Sequence, residues 1–221
     1  MVTQKVSVVL HPIMTETTDQ QLRIKQHAHD LFMQFGLKSV SMDDIANKLG
    51  ISKKTIYQYY TDKDQLVNDV VNTIIKQNQE TCNVDRSRAS DAVHEIFLAM
   101  DMMLEMFRSM NPFVLHDMQK YYPTAFQIFL NHKNDYLYGV IKENIERGIK
   151  EELYRNDINV EIMARFRVES IVIPFQPDYH TKVKSPLADI EEEIALHFLF
   201  GVASQKGYKQ IIKYKENRQL K

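Results

Sequence analysis

The chain has 221 residues, 44% hydrophobic and 26% charged, with a formal net charge of -1, an ordinary globular balance and room for one large domain or a small and a medium one. Its single cysteine, Cys82, excludes an intramolecular disulfide and a cysteine-based zinc site, and fits a reducing, cytoplasmic setting. A net charge this near zero gives no global attraction to nucleic acid, so such a partner would need a local basic patch.

The chain opens with MVTQKVSVVLHPIM, in which the apolar run Val6 to Leu10 lies between Lys5 and Pro12. That run is too short for a secretory core or a bilayer span. Residues 1–18 read as a flexible leader. One lysine gives little basis for an arm that touches DNA.

The most specific stretch is Ser41 to Lys63, SMDDIANKLGISKKTIYQYYTDK. Ser41 can cap a first helix, and Asp43 and Asp44 follow in the turn where the helix dipole favours negative charge. Ile45 and Leu49 share one face, and Ala46 is small enough for a second helix to cross closely. Gly50 ends the helix, because glycine takes the left-handed conformation of a sharp C-terminal turn. Ser52 caps the second helix, and Ile56 and Tyr60 give it an inward face. The layout is a helix-turn-helix, whose second helix lies in a DNA major groove.

The outward face of that second helix is Lys53, Lys54, Thr55, Tyr57, Gln58 and Tyr59. Lysines neutralise phosphates, hydroxyls bond phosphate oxygens, and Gln or Lys reach base edges. The bland alternative is a solvated surface helix; the spacing of Ala46, Gly50 and Ile56 speaks against it. Lys48, Lys53, Lys54 and Lys63 against Asp62 supply the local basic patch.

The remainder is poor in breakers, with 6 Gly and 6 Pro in the whole chain, so long helices are expected. Val67 to Lys76 continues as a helix, and the polar stretch Gln77 to Ser90 is expected to hold a helix end and a bend. Ala92 to Met110 is helical by the recurrence of Ile96, Met100, Met103, Phe107 and Met110, and Asn111-Pro112 breaks it. Pro123 marks a further helix start. Tyr136 to Leu153 is amphipathic, and Ile158 to Ile173 is a helix ended by Pro174 and Pro177. A polar loop is expected up to Pro186, then one long helix from Leu187 to Tyr208, with a cationic, fraying end from Lys206.

Met103, Met106, Phe107 and Met110 form an apolar stripe that reads as core packing or as the lining of an effector pocket, since methionine fills irregular space. Arg165, Arg167 and Glu169 interrupt an apolar helix and are expected on an exposed face. His27 and His29 are two apart and cannot share a metal on a helix. No HExxH, P-loop or nucleophile elbow occurs, and Cys82 has no positioned base. No catalytic residue, metal site or cofactor is therefore expected, and a helical enzyme with an incidental helix-turn-helix is the weakest reading.

The segment Ile24 to Leu66 resembles the DNA-binding domain of the tetracycline-repressor (TetR) family. The resemblance rests on Ala28, Leu31, Phe32 and Phe35-Gly36 in a leading helix, then Ser41, Asp44-Ile45-Ala46, Leu49-Gly50-Ile51-Ser52, Thr55-Ile56-Tyr57, Tyr60, Lys63 and Leu66. It implies an all-α protein with an N-terminal three-helix DNA-binding domain, residues 19–66. A larger helical effector-binding and dimerisation domain would follow, residues 67–221. It also implies phosphate-contacting roles for Ser41, Lys53, Tyr57, Tyr59 and Lys63, and base-proximal roles for Lys53, Lys54, Thr55 and Gln58. Lys54 stands where the family often has glycine, and Tyr59 where it often has histidine, which leaves the operator sequence open. The implied partners are double-stranded operator DNA, a second copy of the chain through its last long helices, and an apolar or amphipathic small molecule, with no membrane. The implied function is a repressor that releases a palindromic operator when ligand binds; the alternative is a regulator controlled by a protein partner.

Overall fold

The structure is a computed structural model that describes residues 13–219. These are helical apart from turns and a lone antiparallel bridge between Tyr154 and Ala203. A head is formed by α1 (Ile13–Phe35), α2 (Met42–Leu49) and α3 (Lys53–Ile56), and α4 (Lys63–Arg88) runs from it into the body. The body adds α5 (Ala92–Arg108), α6 (Val114–Tyr121), α7 (Pro123–Asn131), α8 (Tyr138–Lys150), α9 (Val160–Ser170), α10 (Pro177–Val183), α11 (Leu187–Val202) and α12 (Gln205–Gln219). No helix among the described residues is long and apolar enough to cross a membrane.

Local chemistry sets several of these starts. Asp62, Asp91 and Asn159 each accept a hydrogen bond from a first-turn N–H of α4, α5 and α9, satisfying a donor that would otherwise be orphaned. α7 passes into α8 through a π-helical turn, His132–Leu137.

Packing then joins head and body. The head's core, around Ile24, Phe32, Ile45, Ile56 and Leu66, also takes in Val114, Met118 and Tyr122 from α6 and its C-terminal end. The body's core centres on Phe97, Ile145, Val168 and Leu199, from α5, α8, α9 and α11. Gly148 is fixed there by close approach: a Cβ would run into the ring of buried Tyr154.

Several expectations are corrected. The run Val6–Leu10 and the leader up to residue 12 lie outside the described residues, but α1 already starts at Ile13, ahead of the expected boundary at 19. The stretch Gln77–Ser90 holds the expected helix end and bend, but only at its close: α4 continues to Arg88, with Asp85 turned inward, and the bend falls at Ser90. The loop before Pro186 contains α10. The last long helix breaks at Ala203, where the Ser204 N–H donates to the Leu153 carbonyl at 2.9 Å. α12 is held rather than frayed. Ile211 is fully buried, Gln210 and Tyr214 both donate to Asp91 at 2.9 Å, and Arg218 pairs with Asp101 at 2.6 Å. Arg167, expected on an exposed face, is buried and bonds Glu191 at 2.5 Å.

Candidate nucleic-acid interface and internal cavity

The helix pair is built from its caps. Ser41 and Asp44 form a reciprocal box: the Asp44 N–H donates to Ser41 Oγ at 3.2 Å, and the Ser41 N–H to Asp44 Oδ2 at 2.7 Å. The Ser41 hydroxyl, which also donates to Asp44 Oδ2, and then this N–H hold the Asp44 carboxyl below its usual range. Gly50 sits at φ 66, and the following Ile51 N–H returns to the Ala46 carbonyl at 3.1 Å. This tight closure sets the angle between α2 and α3. Ser52 accepts from the Thr55 N–H at 3.1 Å and starts α3. Only Lys53–Ile56 form regular helix; residues 57–59 continue as a turn, shorter than the sequence implied. Ile56 is fully buried, and buried Tyr60 donates from its hydroxyl to Asp69 at 2.8 Å, fastening the end of the pair to α4.

The outward face brings together most of the expected groups. Lys53, Lys54, Tyr57 and Gln58 are exposed, while Thr55 and Tyr59 are half-buried. Thr55 Oγ1 shares a 2.8 Å hydrogen bond with Ser52, and Tyr59 packs on the head's core. Ser41 is exposed at the start of α2, with its hydroxyl donating to Asp44 at 2.6 Å. Lys53 bonds Asp43 at 2.8 Å, which raises its pKa. An exposed pair of this kind is worth little, so a phosphate can displace it. Lys54 makes no ion pair with any described residue.

Lys63 departs from the expected phosphate-facing position. Its ammonium is half-buried, donates to the Leu37 carbonyl and lies over the rings of Phe32 and Tyr122. Burial pushes its pKa down, opposed by Asp117 and other carboxylates. It ties α4 to the loop ahead of α2 instead of presenting a charge outward.

Sequence reasoning missed the element opposite Lys63. α6 and its C-terminal end grip the same loop: Asp117 accepts from the Lys38 N–H at 2.9 Å and Tyr122 donates to the Leu37 carbonyl at 3.4 Å; just ahead of α6, the Asn111 N–H donates to the Met33 carbonyl of α1 at 2.6 Å. The available signal was the stretch between Pro112 and Pro123, with Val114, Leu115 and Met118 at helical spacing.

Behind α6 lies a cavity of about 230 Å³. Met103, Met106, Phe107 and Met110 all line it, together with Val114, Leu115 and Met118 of α6. The π-helical turn contributes His132 and Tyr136; such turns recur at functional positions because they re-aim side chains. Gln79 bonds His132 Nδ1 at 3.1 Å, and burial pushes the His132 pKa down. The folded chain therefore takes up this proton at a lower pH than the unfolded chain, whose histidine titrates near pH ~6.5. Its contribution to stability is present above that pH and lost as pH falls through it. The expected result is a denaturation midpoint that drops between pH 7.5 and 5.5, with a smaller drop for His132→Gln; equal drops would remove His132 as the cause. Among the described residues, no group of three or more His, Cys, Asp or Glu could hold a metal ion.

Comparison with known proteins agrees with this geometry. Residues 24–70 match the sequence model of "Bacterial regulatory proteins, tetR family". The chain is 25% identical over 191 residues to the HTH-type transcriptional regulator YvaF of Bacillus subtilis, covering 83% of this chain and 96% of that one. It is 27% identical over 136 residues to a second B. subtilis HTH-type regulator, YhgD, covering 60% of this chain and 70% of that one. Its fold is similar to a TetR-family regulator from Agrobacterium tumefaciens, with TM-score 0.71, 15% identity, and 85% and 99% of the two chains covered. It is also similar to a transcriptional regulator from Saccharomonospora viridis in complex with choline, with TM-score 0.65, 16% identity, and 85% and 100% covered. A capped helix pair that presents lysines and hydroxyls, in a segment that matches this family model, identifies residues 24–70 as a TetR-type DNA-binding domain, in a chain similar over most of its length to an HTH-type transcriptional regulator.

Proposed function

We propose that this regulator is a dimeric, ligand-controlled repressor. The observation that carries the reading is the double role of α6, whose Val114, Leu115 and Met118 face the cavity while Asp117 and Tyr122 hold the loop before α2. A molecule that enlarges the cavity pushes on α6 and shifts the head. Operator binding needs two recognition helices one DNA turn apart, about 34–36 Å, so a ligand that favours another spacing releases DNA by population shift. The S. viridis neighbour with choline is a precedent for a small molecule on this fold. The division at residue 66 then marks a change of role within continuous α4, not a hinge between separate cores.

The dimer forms through the outer face of α9, where Ile162 and Phe166 are 59% and 51% exposed one turn apart, and through the adjoining exposed face of α11 at His197 and Gly201. Unpartnered apolar side chains at that spacing suit a two-fold helical interface.

On DNA, Lys53, Tyr57 and Tyr59 contact phosphates, with Ser41 at the edge of the groove, and Lys54, Thr55 and Gln58 approach the bases. Lys63 acts from inside, holding the loop. Lys53→Ala should lower the salt slope of binding to a random-sequence duplex by about one unit per subunit. Fluorescence anisotropy across a salt series reads it, and an unchanged slope would reject the phosphate contact.

A further inference from the structure

An open groove of about 1220 Å³ runs along α4 and α5 beside the end of α1. It shares Met33, Asn78, Asp85, Met102 and Met106 with the internal cavity, so flexible methionines stand between the two spaces. The groove is acidic: Asp30, Glu80, Asp101 and Glu105 line it with Asp85, against Arg88 as the guanidinium in its wall. A cleft lined by one sign of charge concentrates counter-ions at its mouth.

The inner end continues that bias. Asp85 and Glu95 have side chains only 9% and 7% exposed and line the cavity. Glu95 Oε1 is buried and accepts no hydrogen bond; Arg86 Nε stands 3.3 Å away without the geometry for one. The cavity's own guanidiniums are already engaged, Arg86 with Glu143 and Arg167 with Glu191, both at 2.5 Å. The lining itself sets Asp85 and Glu95, paired with Arg88 at 2.9 Å and Arg147 at 3.1 Å, against Arg86 and Arg167; with the outer partners Glu143, Glu151 and Glu191 included, the network holds five carboxylates to four guanidiniums. Rings of Phe107, Phe129 and Tyr136 line the rest and can face a cation.

We propose that the effector is a small apolar organic cation that enters between α4 and α5 and seats its charge beside Asp85 and Glu95. The proposal rests on the ligand-controlled reading above. A cavity of about 230 Å³ suits a ligand smaller than a typical drug. Methionines and rings take its apolar body, and the surplus carboxylate balances its charge. An anionic ligand would add to that surplus.

The test is isothermal titration of the full chain with three probes of one shape: 4-phenylbutylammonium, 4-phenylbutan-1-ol and 4-phenylbutanoate. The ammonium should bind at least ~10-fold more tightly than the alcohol, and the carboxylate most weakly. Glu95→Gln should bring the ammonium close to the alcohol and leave the alcohol unchanged. If that variant does not fold, since Arg147 and Arg86 lose their partner, Asp85→Asn carries the same expectation. Met106→Trp should abolish binding by filling the cavity. Equal or tighter binding of the alcohol or the carboxylate would overturn the cationic class and leave the ligand-controlled reading standing. Binding unaffected by Met106→Trp would place the probe elsewhere and overturn the proposal. Absence of binding by all three would overturn the small-ligand reading itself.

Discussion

Arg167→Met should destabilise the fold by about 3–5 kcal/mol, because it leaves Glu191 as a buried charge without a partner. Arg167 lies on α9 with its side chain 7% exposed, and Glu191 lies on α11 with 2% exposed. Their bond is 2.5 Å, and Arg167 also donates to Ser170 at 3.0 Å. Burial already pushes the Glu191 pKa up, and the guanidinium opposes that shift. In the variant nothing opposes it, so Glu191 takes up a proton in the folded chain at a higher pH than in the unfolded one. Stability then falls as pH rises through that window; the penalty is complete at pH 8 and shrinks towards the ordinary carboxylate range near pH ~4.3. The double variant Arg167→Met, Glu191→Leu should recover most of the loss, since well-packed apolar replacements of buried pairs are often neutral or stabilising. Urea midpoints at pH 8 and 5, with unchanged slopes, read both effects. A double variant as unstable as the single one would contradict the account.

Asp117→Ala should loosen the head's attachment to α6. Its carboxylate is buried, accepts from the Lys38 N–H at 2.9 Å, and acts on the half-buried Lys63 ammonium. Removing it leaves one donor unsatisfied and one cation less compensated, a loss of about 1–3 kcal/mol. For a chain of this length that lowers Tm by about 2–4 °C per kcal/mol. DNA affinity should fall about tenfold, because the loop that positions α2 is no longer fixed, while ligand binding in the cavity stays intact. Asp117→Asn keeps an acceptor for the Lys38 N–H and should restore most of the affinity. Normal DNA binding by Asp117→Ala would show that α6 does not position the head.

The head was legible in the sequence because its signals are local. Ser41, Gly50 and Ser52 act on backbone groups within three or four residues, and the structure has the same caps and the same left-handed turn. What stayed hidden depends on distant partners. The break between α11 and α12 has no glycine or proline; it is set by Leu153 and Arg155, which hydrogen-bond Ser204 and Val202 from the turn after α8. α6 starts without a side-chain cap, so only the spacing of Val114, Leu115 and Met118 after Pro112 marked it. Lys63 and Arg167 carried visible charge, but spacing does not say that an ammonium turns inward to the Leu37 carbonyl, or that a guanidinium meets a carboxylate 24 residues away. The methionine stripe had two readings, core or pocket, and it serves both: Met103 and Met106 pack beside Leu104 and Phe107 and also line the cavity.

Selection of bound sequences from a random duplex pool by the full-length protein tests the central claim most directly. A two-headed reader built on the Lys53–Gln58 face predicts enrichment of an inverted repeat, with half-site centres one DNA turn or a whole multiple of it apart. Lys54→Gly should change the preferred bases within each half-site and leave the spacing alone, because the side chain reads an edge and the dimer sets the distance. Recovery of no preferred sequence, or of single unpaired half-sites, would contradict the account.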